Sequence, residues 1–294
     1  MLDVKKMPAF ERYIVSQPHM EYYRAVYHFS NLWDGKTSLK GKTVICYCGM
    51  GFGDIIQGLR YLSIFDEQEC ELILHIPEPL MPLMANKYKC IARENPELPV
   101  HDYHVSLLSL PYLVDFKVSS EPYIHVNEME NLAEFADKLK VGICWECSGH
   151  FEDNIKRCVP LKYFNVLVKP DREFFLICDK IHRPYLMEGA ELDFNVLPLR
   201  NFKDTAKLLN ALDVVVTADT SVLHLAGAMG QLTYGLISPS GADLRWDVAE
   251  WYSTVSLIRA VDENWQLALE KVAEKLLLHD KMIIPTPEYR GMMP

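Results

Sequence analysis

The chain has 294 residues, of which 49% are hydrophobic and 24% charged, with a formal net charge of −10 at pH 7. This length and composition indicate a soluble globular protein with room for two domains, and the acidic balance argues against a broad nucleic-acid-binding surface without excluding a local basic cleft. Since no apolar run reaches the roughly 18 residues of a membrane span and the N-terminus lacks a signal-peptide core, we expect a cytoplasmic protein.

The first half alternates strand and helix patterns, which is typical of a parallel sheet with helical crossovers. A helix rich in aromatic residues is predicted near the N-terminus, before a turn-rich connector. In chain order, the predicted elements are helix 19–29, strand 43–48, helix 54–65, strand 71–76, helix 80–88, strands 103–108 and 122–126, and a polar helix 127–139.

The pattern then starts again and runs to the C-terminus. In chain order, the predicted elements are strand 140–146, helix 160–167, strand 173–179, helix 203–212, strand 213–218, helix 220–229, strands 232–237 and 255–259, and helix 265–279. Two successive β/α halves predict an α/β protein of two Rossmann-like domains that face one another across a cleft. We place them at residues 1–138, with the leading helix, and 139–294.

The eight cysteines are scattered, several of them inside strand-like runs, which favours reduced buried thiols over a disulfide framework. Cys144 and Cys147 form a C-x-x-C motif, the spacing of redox and zinc sites. However, Cys144 belongs to a predicted strand, and the sequence has no second C-x-x-C or H-x-x-x-H that would complete a zinc site. We therefore expect a structural role for both cysteines.

A glycine-rich turn, CGMGFGD at residues 48–54, joins the first strand to the next helix. Gly49, Gly51 and Gly53 resemble a phosphate loop, but a dinucleotide fingerprint needs glycine where Asp54 stands. The turn instead places Asp54 directly after its three glycines, at the start of the helix, where the helix dipole favours the ionised form of the carboxylate. Asp54 is also explained as an ordinary acidic residue of a first helical turn.

In the second half, Asp219, Thr220 and Ser221 lie between an apolar strand and a helix, at the edge where α/β sheets bind ligands. Hydroxyls, helix amides and the positive helix end together suit a diphosphate. His224 follows one turn later on the same helix face. The residues are equally consistent with an ordinary helix cap and a core histidine.

A polar loop, residues 149–161, reaches the same edge of the predicted sheet. It carries Lys156 and Arg157, two cations that could meet a leaving diphosphate. A solvated pair of basic residues is the alternative, and the position of the loop at the strand ends favours the functional interpretation.

Several segments, among them GFGDIIQGLRYL, HVSLLSLP, KRCVPL and ADTSVLHLAGAMG, stand in the order of a known family. The chain resembles the heptosyltransferase superfamily, glycosyltransferase family 9, and in particular the glycosyltransferases that bacteria often fuse behind tetratricopeptide repeats. The resemblance covers roughly residues 20–260 and rests on several motifs rather than on one. One departure is the loop that reads EDNIKRCVPL in place of the N-D-R-x-R-S pattern of the family.

The resemblance implies a GT-B fold whose N-terminal domain holds the acceptor and whose C-terminal domain holds the nucleotide sugar. It implies that Asp54 is the general base of an inverting transfer to an acceptor hydroxyl, with Gly51, Gly53 and His104 on the acceptor side; His104 is equally explained as a buried strand residue. The implied donor-binding residues are Arg157, Asp219, Thr220, Ser221 and His224, and we add Lys156 because of its place in the polar loop. Neither a metal nor a cofactor is expected, because the sequence contains no D-x-D motif.

Two alternatives stay open at this point. One is an S-adenosylmethionine-dependent methyltransferase, whose cofactor loop also has a G-x-G-x-G pattern, although no acidic residue obviously ends the second strand and a second anion site would be superfluous. The other is a protein that binds nucleotide sugars without turning them over. The sequence identifies neither the donor sugar, nor the nucleotide base, nor the acceptor.

Overall fold

A computed structural model describes residues 31–95, 97–113, 119–147, 155–178, 180–240, 243–247, 250–262 and 264–283. The predicted leading helix, 19–29, lies outside these residues. The chain divides into two compact units, Met1–Ser119 with Asn201–Lys203, and Ser120–Arg200 with Asp204–Pro294. The domain boundary between residues 138 and 139 stays a prediction, since segment 120–138 groups with the second unit although the second sheet begins at Leu139.

The first unit contains a parallel sheet of four strands in the order β3-β2-β1-β4, with the apolar strand β1 inside it. The strands are β1 (Thr43–Tyr47), β2 (Glu71–Ile76), β3 (Lys89–Ala92) and β4 (Tyr103–Ser106). The α-helices are α1 (Phe52–Gly58), α2 (Met81–Met84) and α3 (Leu110–Leu113), and the 3-10 helices are Leu59–Phe65, Glu78–Leu80 and Leu107–Ser109.

The second unit contains a parallel sheet of six strands in the order β10-β9-β8-β5-β6-β7. The strands are β5 (Leu139–Cys144), β6 (Arg172–Leu176), β7 (Phe194–Asn195), β8 (Val214–Ala218), β9 (Thr233–Ile237) and β10 (Val255–Arg259). The α-helices are α4 (Phe202–Ala211), of which Phe202 and Lys203 group with the first unit, α5 (Ser221–Met229) and α6 (Trp265–Ile283). The 3-10 helices are Ala133–Phe135, Leu161–Leu167, Pro184–Met187 and Leu244–Asp247.

Both sheets reverse their strand order at one point, which is where α/β folds bind ligands. When the strands of the second sheet are counted from β5, their order is the 3-2-1-4-5-6 of dinucleotide-binding folds, and the reversal falls between β5 and β8. The first sheet has the corresponding order 3-2-1-4, with the reversal between β1 and β4. The residues that follow β1, β5 and β8 therefore occupy the ligand edges of the two sheets.

The prediction of two Rossmann-like β/α halves is confirmed, because all strand pairs within both sheets are parallel. The polar helix predicted at 127–139 is wrong, since only Ala133–Phe135 forms a 3-10 turn there. Asn210 on α4 donates its side-chain amide to the carbonyl oxygens of Val126 and Glu128, which ties the start of this segment to α4. The strand predicted at 122–126 is absent, since the backbone amides of Tyr123 and Ile124 both donate to the carbonyl oxygen of Ala228 rather than to a neighbouring strand.

A large buried cluster belongs to the second unit and surrounds β5 and β8. Five buried positions of α6 pack into this cluster, including Leu269, Val272 and Leu276. At roughly 1.5–3 kcal/mol for each large apolar side chain removed from water, the cluster stabilises the sheet that positions the ligand edge. Within the part of the chain that the structure describes, no helix combines the length and apolar character that crossing a membrane would need.

Candidate functional site

The first ligand edge is built around Asp54. Helix α1 begins after Gly51, which has an extended backbone, and Asp54 is the third helical residue. The side chain of Asp54 turns back, so that its Oδ2 accepts the amide N–H of Gly51 at 3.1 Å. A Cβ at Gly51 would lie 3.4 Å from the same oxygen. The turn thereby fixes a partly exposed carboxylate just beyond the end of β1.

Arg93 supports this turn from the neighbouring strands, a role that sequence reasoning missed. It follows β3, and its Nη1 donates to the carbonyl oxygen of Met50 at 3.3 Å. The only signal in the sequence was a cation just after a short strand, and that strand itself was not predicted. Gly53 lies immediately before Asp54, and the acceptor-side role of Gly51 and Gly53 stays a prediction.

His104 is buried within the first sheet. It lies on β4 opposite Ile45, with 1% of its surface exposed. Its ring centroid is 6.2 Å from that of Tyr47 and 5.7 Å from that of His101. The structure does not expose this ring at the ligand edge, and its proposed contact with an acceptor stays a prediction.

The second ligand edge begins with Thr220, the N-cap residue of α5. Its Oγ1 accepts the amide N–H of Val222 at 3.1 Å, and the Sγ of Cys144, at the end of β5, lies 3.7 Å from the same oxygen. The structure therefore uses this hydroxyl as a helix cap, and the cap engages the Val222 amide. Ser221 is the first helical residue, at the positive end of the helix dipole.

Arg157 and Asp219 meet beside this cap. The Nη1 of Arg157 donates to the carbonyl oxygen of Asp219 at 3.1 Å and lies 3.6 Å from its Oδ2. Burial raises the pKa of Asp219 above its ordinary value of 3.8, and the guanidinium of Arg157 opposes that rise. A quarter of the Arg157 side chain is exposed, so the cation can interact with both Asp219 and an anion from solution. Lys156 is exposed, and its role in donor binding stays a prediction.

His224 is held by two aromatic residues from the segment between β9 and β10. Its Nδ1 lies 2.9 Å from the hydroxyl oxygen of Tyr252, and its ring stacks on Trp246 with centroids 5.0 Å apart and planes at 17°. Tyr252 in turn covers Gly227, where a Cβ would lie 2.4 Å from the tyrosine ring. Sequence reasoning missed Tyr252, and its only signal was a glycine inside the helix that carries His224.

A buried ion pair joins the ends of β5 and β6. The Nη1 of Arg183 lies 3.5 Å from the Oε2 of Glu146 and donates to the carbonyl oxygen of Cys147. The other carboxylate oxygen of Glu146 accepts the amide N–H of His182 at 2.7 Å. This pair fixes the backbone next to the cap of α5, and its signal was a glutamate at the end of an apolar strand.

The C-x-x-C motif does not join its two cysteines, since all eight cysteines are free. Across the described ranges, no group of three or more histidine, cysteine, aspartate or glutamate side chains could hold a metal ion. The structure thus brings Arg157, Asp219, Thr220, Ser221 and His224 together at one edge of the second sheet, while Asp54 occupies the corresponding edge of the first.

Comparison with known proteins connects this architecture to sugar transfer. Residues 179–269 match the model of glycosyltransferase family 9 (heptosyltransferase). None of the curated proteins matches the chain. The matched segment contains β8, the cap of α5, His224 and Tyr252, and therefore most of the second ligand edge.

Three solved structures have a similar fold. A family 9 glycosyltransferase from Veillonella parvula has a TM-score of 0.57 at 12% identity, covering 83% of this chain and 99% of its own. The ADP-heptose lps heptosyltransferase II of E. coli has a TM-score of 0.52 at 13% identity, covering 81% and 99%. The iron-containing dodecameric glycosyltransferase TibC from enterotoxigenic E. coli has a TM-score of 0.52 at 12% identity, and this chain spans 59% of its length.

Proposed function

We propose that this chain, which has two Rossmann-like sheets and matches the glycosyltransferase family 9 model over residues 179–269, is a heptosyltransferase-like glycosyltransferase that transfers a sugar from a nucleotide sugar to an acceptor hydroxyl. The observation that carries the proposal is the contact of Arg157 with Asp219 beside the capped N-terminus of α5, at the strand reversal of the second sheet. A cation and a helix N-terminus at this point suit a diphosphate.

In the proposed reaction, the acceptor oxygen attacks the anomeric carbon while the bond from that carbon to the diphosphate breaks. Asp54 takes the proton of the acceptor hydroxyl, and the attack from the face opposite the diphosphate inverts the anomeric centre. Such base catalysis typically contributes roughly 10²- to 10⁴-fold in rate. The bond between the Gly51 amide and Oδ2 supports this role, because it orients the carboxylate in advance.

The departing diphosphate carries the charge that develops in the transition state. We propose that Arg157, with Lys156, neutralises it and that the amides at Thr220 and Ser221 donate to it; the Val222 amide is engaged by the cap. His224 contributes the ring nitrogen that Tyr252 does not use, Nε2. These donors supply charge stabilisation from the protein itself, and we propose a reaction without a metal. The iron of TibC belongs to that protein.

The donor is proposed as a nucleoside diphosphate sugar whose sugar and base stay open, as does the acceptor. ADP-heptose, named for heptosyltransferase II, is the first donor to examine. A cytoplasmic location is part of the proposal, because eight free cysteines suit a reducing compartment.

A thermal-shift panel tests this function. We expect one or more of ADP, UDP, GDP and their sugar derivatives to raise the Tm, since ligand at a hundredfold excess over Kd stabilises by about 2.7 kcal/mol. S-adenosylhomocysteine should leave the Tm unchanged. Stabilisation by that compound alone would favour the methyltransferase. Donor binding with neither transfer nor hydrolysis would favour a binding protein.

A further inference from the structure

Two buried cysteines that the proposed reaction does not use lie side by side at the second ligand edge. Cys147 follows the end of β5, and Cys158 precedes Val159, whose amide donates to the carbonyl oxygen of Trp145 at 2.8 Å. This backbone bond aligns the two segments. The amide N–H of Cys147 donates to the Sγ of Cys158 at 3.3 Å, so the two cysteines are in direct contact.

The pair touches the donor-binding motif directly. The Sγ of Cys147 donates to the carbonyl oxygen of Asp219 at 3.3 Å, which is the same oxygen that Arg157 binds at 3.1 Å. Cys158 immediately follows Arg157 in the chain. A covalent change at either sulfur therefore acts on the backbone that holds the cation and the carboxylate of this edge.

The charges around the pair favour reaction at Cys158. Hydrogen bonding from Cys147 and the nearby guanidinium of Arg183 lower the pKa of Cys158 to about 7, against burial and the charge of Glu146. The pKa of Cys147 is raised, first by its interaction with the neighbouring Cys158 sulfur and then by burial. Since the thiolate is the reactive form of cysteine, Cys158 is the nucleophile of the pair and Cys147 the resolving thiol.

From this geometry we propose that Cys147 and Cys158 are a redox modification site, which a peroxide converts into a disulfide. The Cys158 thiolate attacks one peroxide oxygen and breaks the O–O bond, which gives a sulfenic acid and, after protonation, one water. The sulfur of Cys147 then attacks the sulfenic sulfur, and the hydroxyl group leaves as a second water. Two thiols lose two hydrogens, hydrogen peroxide is reduced to two waters, and a dithiol reverses the step by exchange.

Formation of the disulfide should weaken the binding of nucleoside diphosphate, an expectation that rests on the proposed function. In the oxidised form, Cys147 has no S–H to donate to Asp219, and its sulfur is tied to the residue after Arg157. We expect the affinity for nucleoside diphosphate to fall roughly 2- to 10-fold, the range that corresponds to one lost hydrogen bond.

Peptide mapping after peroxide treatment tests the modification without any nucleotide. The full chain is treated with hydrogen peroxide, its remaining thiols are blocked with a maleimide, and the digest is analysed by mass spectrometry. We expect a peptide pair linked through Cys147 and Cys158, a mass loss of two hydrogens, and full recovery with dithiothreitol. Cys158→Ser and Cys147→Ser should each abolish the link.

Cys90→Ser is the matched control. Cys90 is a half-buried thiol of the other unit whose pKa burial raises to about 11, and this variant should form the link as the natural chain does. A link between Cys144 and Cys147, a sulfinic acid at Cys158 without a link, or two thiols that stay open to maleimide would each overturn the proposal.

Titration calorimetry of the reduced and oxidised chain, with the nucleoside diphosphate that gives the largest thermal shift, tests the coupling. Equal Kd values in both forms would overturn the coupling. If no nucleoside diphosphate binds the reduced chain, the proposed function fails, whereas the mapped disulfide is judged by its own experiment.

Discussion

The two ligand edges of this protein start from the same strand order and are built in different ways. At the edge of the first sheet, Asp54 is held by the backbone of its own glycine turn and stays partly exposed. At the edge of the second sheet, Asp219 and His224 are 1% and 6% exposed and contact residues from distant parts of the chain.

The difference follows from the task proposed for each edge. A general base must exchange a proton with an incoming hydroxyl, so it needs a fixed position and access to substrate. A diphosphate site must hold charge, and its donors are strongest where water is excluded and their positions are fixed in advance. The comparison predicts that substitution at the first edge affects turnover, while substitution at the second affects affinity.

Asp54→Asn is expected to have the largest effect on turnover. The amide can still accept the Gly51 N–H but cannot take a proton from the acceptor. We expect transfer to fall by roughly 10²- to 10⁴-fold with an unchanged Kd for donor. Turnover is measured by product formation and donor binding by calorimetry.

Asp66→Asn is the control for this experiment, because Asp66 is an exposed aspartate of the same unit that pairs only weakly with Lys87 at 3.4 Å. It should transfer sugar at the normal rate. If Asp54→Asn transferred sugar at the normal rate, Asp54 would not be the general base. The proposed division of roles between the two ligand edges would then be wrong.

Arg157→Ala tests the second edge with the next largest effect. The guanidinium forms charge-assisted hydrogen bonds worth about 1.5–3 kcal/mol, so we expect the Kd for nucleoside diphosphate to rise roughly 10- to 100-fold. Arg200→Ala, which removes an exposed arginine away from this edge and keeps the backbone N–H that donates to Asp204 at 3.1 Å, serves as the control and should bind normally. An Arg157→Ala chain with unchanged Kd would exclude Arg157 from the phosphate site.

The stability that Arg157→Ala loses should also depend on pH. Because the folded pKa of Asp219 is raised, the folded chain holds its proton to higher pH than the unfolded chain, and the free energy of unfolding falls as pH rises from about 3.8 through the folded pKa. Loss of Arg157 raises that pKa further. The variant should therefore lose more stability at about pH 7.5 than at about pH 5, measured by urea unfolding, and Asp219→Asn should remove the difference.

Sequence patterns predicted the sheets well because strands β1, β5 and β8 are apolar runs that end at turns or helix caps. They failed for β3, whose four residues are one exposed and three of intermediate burial, and for β7, whose two residues are of intermediate burial, because neither strand has a continuous apolar run. They also failed at 127–139, where helix-forming residues are held in another conformation by the Asn210 amide, a tertiary contact with no local signature.

For the site, sequence located the groups that follow strand ends, such as Asp54 and Asp219, since their position depends on neighbours in the chain. It did not locate Tyr252 or Arg183, whose partners His224 and Glu146 are 28 and 37 positions away. The sequence pattern also did not show whether the N-terminus of α5 is an ordinary helix cap or an anion site. The capping oxygen, Thr220 Oγ1, and the backbone amides that could bind an anion belong to the same turn.

Tyr252→Phe gives the smallest and most specific effect. The change removes the hydroxyl 2.9 Å from Nδ1 of His224 and keeps the ring that covers Gly227, so the fold should persist. One such bond is worth about 0.5–1.5 kcal/mol, so we expect diphosphate affinity to fall roughly 2- to 10-fold. The nitrogen chemical shifts of the His224 ring should change as well, because the partner that selects its tautomer is gone.

Tyr163→Phe is the control. It changes a partly buried tyrosine beside Lys162 and should alter neither the diphosphate affinity nor the His224 shifts. If Tyr252→Phe lowered stability alone, with His224 shifts and affinity unchanged, Tyr252 would be a packing residue, and the dense contacts of the second edge would serve folding rather than donor binding.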